Sequence, residues 1–219
     1  MAKDNRIYQF MLMFGHMCAD INQGAIPAIM TYLVMEGNFS LAAASGLVFA
    51  SNLISSLIQP FIGRLADQKP RPWIMSLGIV MAGCGLAVVG FLDNYQAIIF
   101  FSVISGLGVA IFHPEGGRLA NCIAGENKGQ GMSIFAIGGT LGFAVGPIIV
   151  TAGMGLFGLE GTWVLAVPAL IMAVILLFQN NKYVAFSCEA REAALKTYEL
   201  DEEAKPEDDW HGFSILTVA

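Results

Sequence analysis

The chain has 219 residues, of which 56% are apolar and only 13% charged, with 25 glycines besides. Soluble domains carry roughly 25% charged residues, so this composition cannot coat a water-soluble fold of this size, and it excludes disorder as well. The net charge of −6 sits in one stretch: nine of the 17 acids fall between Glu189 and Asp209, opposed there only by Arg191, Lys196 and Lys205. The rest of the chain is neutral, so no basic surface for nucleic acid exists. The class that remains is an all-α integral membrane protein.

A membrane helix needs about 20 mostly apolar residues. Six such segments are predicted, at residues 7–34, 42–62, 73–92, 96–123, 132–156 and 162–178. The first is too long for a signal peptide and carries Asp20 at its centre. Its His16, Asp20, Gln23 and Pro27 recur at i, i+4, i+7 and i+11, which places them on one helical stripe. Ionisable groups inside a membrane helix are costly and usually face a bundle interior or an aqueous cavity. The second segment carries a similar stripe of Asn52, Ser56, Gln59 and Gly63. Two such stripes predict a shared wet cavity, the alternative being hydrogen bonds between helices of a closed bundle.

The fourth segment holds His113-Pro114-Glu115-Gly116-Gly117-Arg118. Glu115 and Arg118 are i, i+3 neighbours and can pair. Pro114 removes one backbone donor from the helix. His113 and Glu115 point about 200° apart on a helix and cannot share a metal ion. No HExxH is present, and no two of the four cysteines form a CxxC pair, so no metal site is expected. Gly106-x-Gly108 lacks the third glycine and the preceding strand of a dinucleotide loop. The fifth segment carries Gly138, Gly142 and Gly146 at four-residue spacing, then Pro147, a small-residue face that lets another helix backbone approach closely.

The loops at residues 36–41, 93–95 and 158–161 contain no Lys or Arg. All eleven positive residues then fall on the other side or at its boundary, which predicts a cytoplasmic N-terminus. The expected organisation is a six-helix membrane unit over residues 1–183 and an acidic cytoplasmic segment over 184–211, with a short surface helix near 189–198. Residues 212–219 turn apolar again and read as the first turns of a truncated seventh membrane helix.

Four blocks together resemble the major facilitator superfamily, and within it the fosmidomycin-resistance branch of efflux proteins: HMCADINQGAIPA at 16–28, GRLADQKPRPW at 63–73, FHPEGGRLA at 112–120 and MSIFAIGGTLGFAVGP at 132–147. Gly63, Leu65, Asp67 and Arg71 take the places of the loop signature between helices two and three, while Pro70 and Pro72 depart from it. Gly142, Gly146 and Pro147 are similar to the fifth-helix motif of proton-coupled exporters. The resemblance implies twelve helices in two halves, each half a pair of three-helix inverted repeats, of which this chain holds the N-terminal six-helix half. It implies proton-coupled efflux of a small compound, with an anionic, fosmidomycin-like molecule as the candidate, driven by a proton gradient and no cofactor. Asp20 is the first choice of proton carrier, then Glu115, with His113 and His16 as relays. Asn22, Gln23, Asn52, Ser56, Gln59 and Arg118 are candidates for the cavity. Asp67 and Arg71 would form a cytoplasmic latch, and Gly138, Gly142 and Gly146 a rocking surface.

The expected partners are the substrate, the lipid bilayer, and a second six-helix half or a second copy. The expected place is the cytoplasmic (inner) membrane, crossed several times. Two rivals stand beside this reading. An intramembrane enzyme using His113 and Glu115 would need a nucleophile or metal set on facing helices, which the sequence does not offer. A truncated half could act only as a dimer or as a non-transporting scaffold.

Overall fold

The helices begin and end where capping chemistry dictates. In a computed structural model describing residues 3–36 and 39–200, Ser40 caps the second helix by accepting from the Ala43 N–H, and Asn94 caps the fourth by accepting from Gln96 and Ala97. Such caps satisfy the orphan donors of a first turn. Gly125 (φ 57°) and Gly158 (φ 65°) terminate the fourth and fifth helices in a backbone region that glycine enters without strain. The elements are α1 (Lys3–Met35), α2 (Leu41–Gln68), α3 (Trp73–Val88) continued by a 3-10 turn at Val89–Phe91, α4 (Tyr95–Ala124) and α5 (Lys128–Phe157). A 3-10 segment at Gly158–Leu165 leads into α6 (Ala166–Phe178), and α7 (Asn180–Leu200) follows. No strand occurs among the described residues.

Four runs are long and apolar enough to cross a membrane: Leu41–Asp67, Trp73–Phe91, Tyr95–Ala124 and Lys128–Phe178. The last, 51 residues long, folds at Gly158 into α5 and α6. Helices α1–α6 lie over the six predicted segments, and α2–α6 correspond to these four runs. α1 is not among these runs, since polar residues such as His16, Asp20, Asn22 and Gln23 lower its hydropathy; His16, Asp20 and Asn22 are buried in the protein interior. The outer loop expected at 158–161 is helical, and Thr162 ties it to α3 by donating to the Ala87 carbonyl at 2.8 Å and accepting from the Gly90 N–H at 3.1 Å.

The acidic segment also differs from expectation. In place of a loop with a short helix at 189–198, α7 is continuous from Asn180 to Leu200. Its first turns dock: Tyr183 is fully buried, its ring edge meets Tyr8 at 5.9 Å, Phe186 meets Tyr8 at 5.2 Å, and Ser187 is buried. Burial, with Tyr8 beside it, holds the Tyr183 phenol far above its ordinary range. Residues 201–219, including the predicted start of a seventh membrane helix, lie outside the described residues.

α1 packs most extensively on α5, while α2 and α3 pack chiefly on α4. The α1–α5 seam rests on the glycine stripe. A Cβ at Gly138, Gly142 or Gly146 would run into the carbonyl oxygen of Met13, Met17 or Ile21 respectively. The stripe therefore faces α1 of the same chain. Two apolar clusters result. One gathers Leu12, Phe112, Leu119 and Tyr183; the other gathers Ile21, Ile29, Leu86 and Val150. Asp20 sits on α1 where one cluster gives way to the other.

Gly138→Ala should lower stability by about 1–3 kcal/mol, the usual cost of overpacking, because the opposing atom is backbone. Gly129→Ala, which meets nothing within 4 Å, should not. Thermal unfolding of the two variants in detergent distinguishes them.

Candidate functional site

Three helices bring His16, Asp20 and His113 together. His16 and Asp20 lie one turn apart on α1, and His113 reaches them from α4. His16 Nε2 is 3.2 Å from Asp20 Oδ2, His113 Nε2 is 3.2 Å from Asp20 Oδ1, and the two Nε2 atoms are 3.1 Å apart. Asp20 and His16 are buried, and the His113 side chain is 23% exposed, so the cluster opens on the His113 side.

The backbone decides the tautomers. His16 Nδ1–H donates to the Phe135 carbonyl at 2.8 Å, and His113 Nδ1–H donates to the Val109 carbonyl at 2.9 Å. A carbonyl only accepts, so in each neutral ring the proton is on Nδ1 and Nε2 is a bare lone pair. Two lone pairs and a carboxylate thus converge with no donor among them. Asp20 Oδ1, though buried, has no hydrogen-bond partner. The arrangement calls for a cation at its centre: an added proton, or a metal ion bound by one atom from each residue.

α5 closes the cluster from the third side. The Phe135 ring stacks on the His16 ring with centroids 4.1 Å apart and planes at 17°. A Cβ at Gly139 would stand 2.6 Å from His16 Cε1 and 2.7 Å from Asp20 Oδ2. Only glycine leaves both side chains their places. Neither Phe135 nor Gly139 was marked by sequence reasoning, though Gly139 doubles the stripe glycine Gly138 and lies one 100° step round the helix from it.

Glu115 belongs to a separate set. It is fully buried, and Arg118 grips it with two hydrogen bonds, Nη2 to Oε1 at 2.7 Å and Nε to Oε2 at 3.0 Å. Arg118 Nη2 also donates to Ser187 Oγ on α7 at 3.0 Å. The i, i+3 pair expected on α4 therefore forms, and His113 and Glu115 point apart as their spacing requires.

His16, Asp20 and His113 offer three ligand atoms within 4.8 Å of one another, a set different from the His113 and Glu115 pair weighed from the sequence. The three stand on facing helices, and Asp20 and His113 are 93 residues apart in sequence, a separation that no spacing motif reveals.

Residues 12–205 match the family described as Major Facilitator Superfamily. The chain belongs to that superfamily. It is 33% identical over 184 residues to the uncharacterized MFS-type transporter YfnC of Bacillus subtilis (strain 168), covering 82% of this chain and 44% of that protein. It is 28% identical over 169 residues to the fosmidomycin resistance protein of Escherichia coli (strain K12), covering 77% and 41%. It is 25% identical over 165 residues to the multidrug resistance protein MdtG of Rahnella sp. (strain Y9602), covering 74% and 40%. The chain thus spans less than half the length of the curated relatives it matches.

The remaining candidates of this superfamily member are spread over several surfaces. Asn22 is fully buried and spends its amide on its own helix, donating to Cys18 at 2.9 Å. Gln23 is half-buried, and Pro27 lines a cavity of about 240 Å³ between α1 and α2. Asn52 and Ser56 are exposed and line an open groove of about 590 Å³ along α2, with Phe49 and Leu53. Gln59 donates to Ser55 on its own helix at 3.2 Å.

The two polar stripes turn apart at His16 and Asp20, whereas the Pro27 cavity and the Asn52 groove share Ser45 and Val48 in their lining. α2 is held to α4, where Ser51 donates to the Ser102 carbonyl at 3.2 Å, and this turns Asn52 outward while His16 and Asp20 turn inward. Gly63 and Leu65 lie on the last turns of α2. Asp67 and Arg71 are exposed around the α2–α3 turn, and no ion pair joins them. Pro147 is half-buried beside the glycine stripe.

Arg118→Met should destabilise the fold by about 3–5 kcal/mol, since it strands a buried carboxylate. Arg118→Met combined with Glu115→Gln should recover most of that loss. A double-mutant cycle read by thermal unfolding in detergent checks both.

Proposed function

We propose that this chain forms the N-terminal six-helix half of a proton-coupled exporter of small molecules, and that it is a transporter and not an enzyme. The observation that carries the reading is the His16–Asp20–His113 cluster, a buried set of acceptors that demands a cation inside membrane-spanning helices. Family membership supports transport, and relatives named for fosmidomycin and multidrug resistance support export of a small, anionic compound as the substrate class. In this reading α1–α6 each cross the inner membrane with the N-terminus in the cytoplasm. The second half, or a second copy, completes the substrate pathway.

The chemistry follows from the tautomers. With Nδ1 of both rings committed to carbonyls, a proton can enter and leave only through Nε2 or the Asp20 carboxylate. Proton arrival converts a lone-pair contact into a charge-assisted hydrogen bond and draws α1 and α4 together; departure releases them. Alternating access can use that difference, because a bound species shifts a two-state equilibrium only through unequal affinity for the two states. Glu115 already has a guanidinium partner and is the second choice of carrier. Asp67 and Arg71 serve as the cytoplasmic latch when the exposed turn meets the other half.

The test uses inverted membrane vesicles energised by a proton gradient, with fosmidomycin as the probe. The wild-type protein should dissipate the gradient when the probe is added, and Asp20→Asn should reduce that response at least tenfold while the protein stays in the membrane. An undiminished response in Asp20→Asn would overturn the assignment of the proton to this cluster. No response in the wild type would instead favour a non-transporting half.

A further inference from the structure

The cluster has the features of a transition-metal site, a property that does not depend on the transport reading. We propose that His16 Nε2, His113 Nε2 and the Asp20 carboxylate bind one divalent transition-metal ion of the zinc class, with a coordination position left open toward the His113 side. Four independent features of the geometry argue for this.

The first is ligand type and count. Two imidazoles and one carboxylate form the three-ligand set that holds zinc with a water or substrate in the remaining position. The second is spacing. Zn–N distances of about 2.0–2.1 Å place tetrahedral neighbours about 3.3 Å apart. The two Nε2 atoms are 3.1 Å apart, His16 Nε2 is 3.2 Å from Asp20 Oδ2 and His113 Nε2 is 3.2 Å from Asp20 Oδ1, so the carboxylate faces both rings with one oxygen each, and one ligand atom from each residue lies within 4.8 Å of the other two. An ion is seated there by both Asp20 oxygens, or by one of them after a turn of the carboxylate, without a shift of either helix backbone.

The third feature is the surroundings of the ligands. A metal-bound histidine almost always donates its other ring N–H to a carbonyl or carboxylate, which fixes the ring and the tautomer. Both histidines already do so, to Phe135 and Val109. The fourth is an unmet demand. Asp20 is 3% exposed, its Oδ1 has no hydrogen-bond donor, and the lone pairs of both rings point into the same space. A buried pocket of acceptors without a donor favours whatever cation can enter it, and the 23% exposure of His113 supplies the route.

Charge sets the character of the open position. A dication on two neutral imidazoles and one carboxylate leaves a net charge of +1, so the fourth ligand is water, hydroxide or an anionic oxygen. The Nε2 lone pairs that hold the metal are those that would otherwise hold a proton, so metal and added proton exclude each other. Zinc is therefore expected to act as a competitor for the site, with no change of fold.

The test uses the 219-residue chain purified in detergent through a tag without histidine and loaded with one equivalent of Zn²⁺. X-ray absorption at the zinc edge on the wild-type chain should show a first shell of nitrogen and oxygen with the scattering of two imidazoles. It should show no sulfur at about 2.3 Å, the Zn–S distance. Competition with a chromogenic chelator should give one ion per chain, and His113→Gln and Asp20→Asn should each weaken binding at least tenfold. A sulfur shell would overturn the proposal by assigning the metal to cysteines. Equal affinity in both variants, or no zinc retained against a weak chelator, would overturn it as well. The wild-type spectrum decides the ligand set even where a variant folds poorly.

Discussion

The close approach of α1 and α5 governs most of what the structure does. Three α5 glycines set the carbonyls of Met13, Met17 and Ile21 directly against the opposing helix. In a bilayer, helices gain little from burying apolar surface against one another, so backbone proximity and hydrogen bonds must supply the association. That proximity fixes the rotation of α1 about its own axis. Rotation in turn decides that His16 and Asp20 point inward, with the Phe135 carbonyl and the Gly139 backbone against them. A bulkier α5 would hold α1 farther off, and the His16 Nδ1 hydrogen bond that sets its tautomer would be lost.

Against that frame the molecule buries two ionisable sets of opposite character. Glu115 and Arg118 neutralise each other through two hydrogen bonds, and Ser187 fixes the guanidinium further. This set is closed: it lacks nothing and ties α4 to α7. The His16–Asp20–His113 set is open. Its donors are spent outward on carbonyls, and its acceptors face each other. A buried polar group without a partner costs free energy, so the open set is where a cation changes the energy of the protein most. That contrast distinguishes the two sets more sharply than burial does, since both are buried.

Much of this was legible in the sequence, and the parts that were not share a cause. Composition and span length gave the helices, and the i, i+4 step gave His16 and Asp20 one face. The i, i+3 step gave Glu115 and Arg118 each other. Each of these is local, within one helix. The meeting of His113 with Asp20 depends on the relative rotation of α1 and α4, which no single helix encodes. Rotation also decides that His16 and Asp20 turn inward while a hydrogen bond from Ser51 to α4 turns Asn52 outward, which the stripe spacing alone does not encode. Acidity dominates the pattern of α7 and hides its continuous helix from a reading of the sequence. The signal that could have found it was the spacing of Tyr183, Phe186 and Ser187, three positions of one docking face.

The exposed faces of the bundle also divide by chemistry. α6 presents Val167, Leu170, Ile171, Val174 and Phe178 outward, a face with no polar side chain and therefore suited to acyl chains. α2 presents Phe49, Leu53 and Leu57 interleaved with Asn52 and Ser56. An asparagine amide facing hydrocarbon would have no partner for its donors or its acceptor. The cost of that position falls only if the α2 face meets water or other protein. The bundle thus has a lipid side at α6 and a mixed side at α2. On the reading proposed above, the mixed side is where the second half would enclose the substrate. The His16–Asp20–His113 cluster, the cation site proposed above, lies in neither surface but between α1, α4 and α5. A proton or metal ion there would act on substrate through the seating of the helices, since Asn52 and Ser56 point away from it.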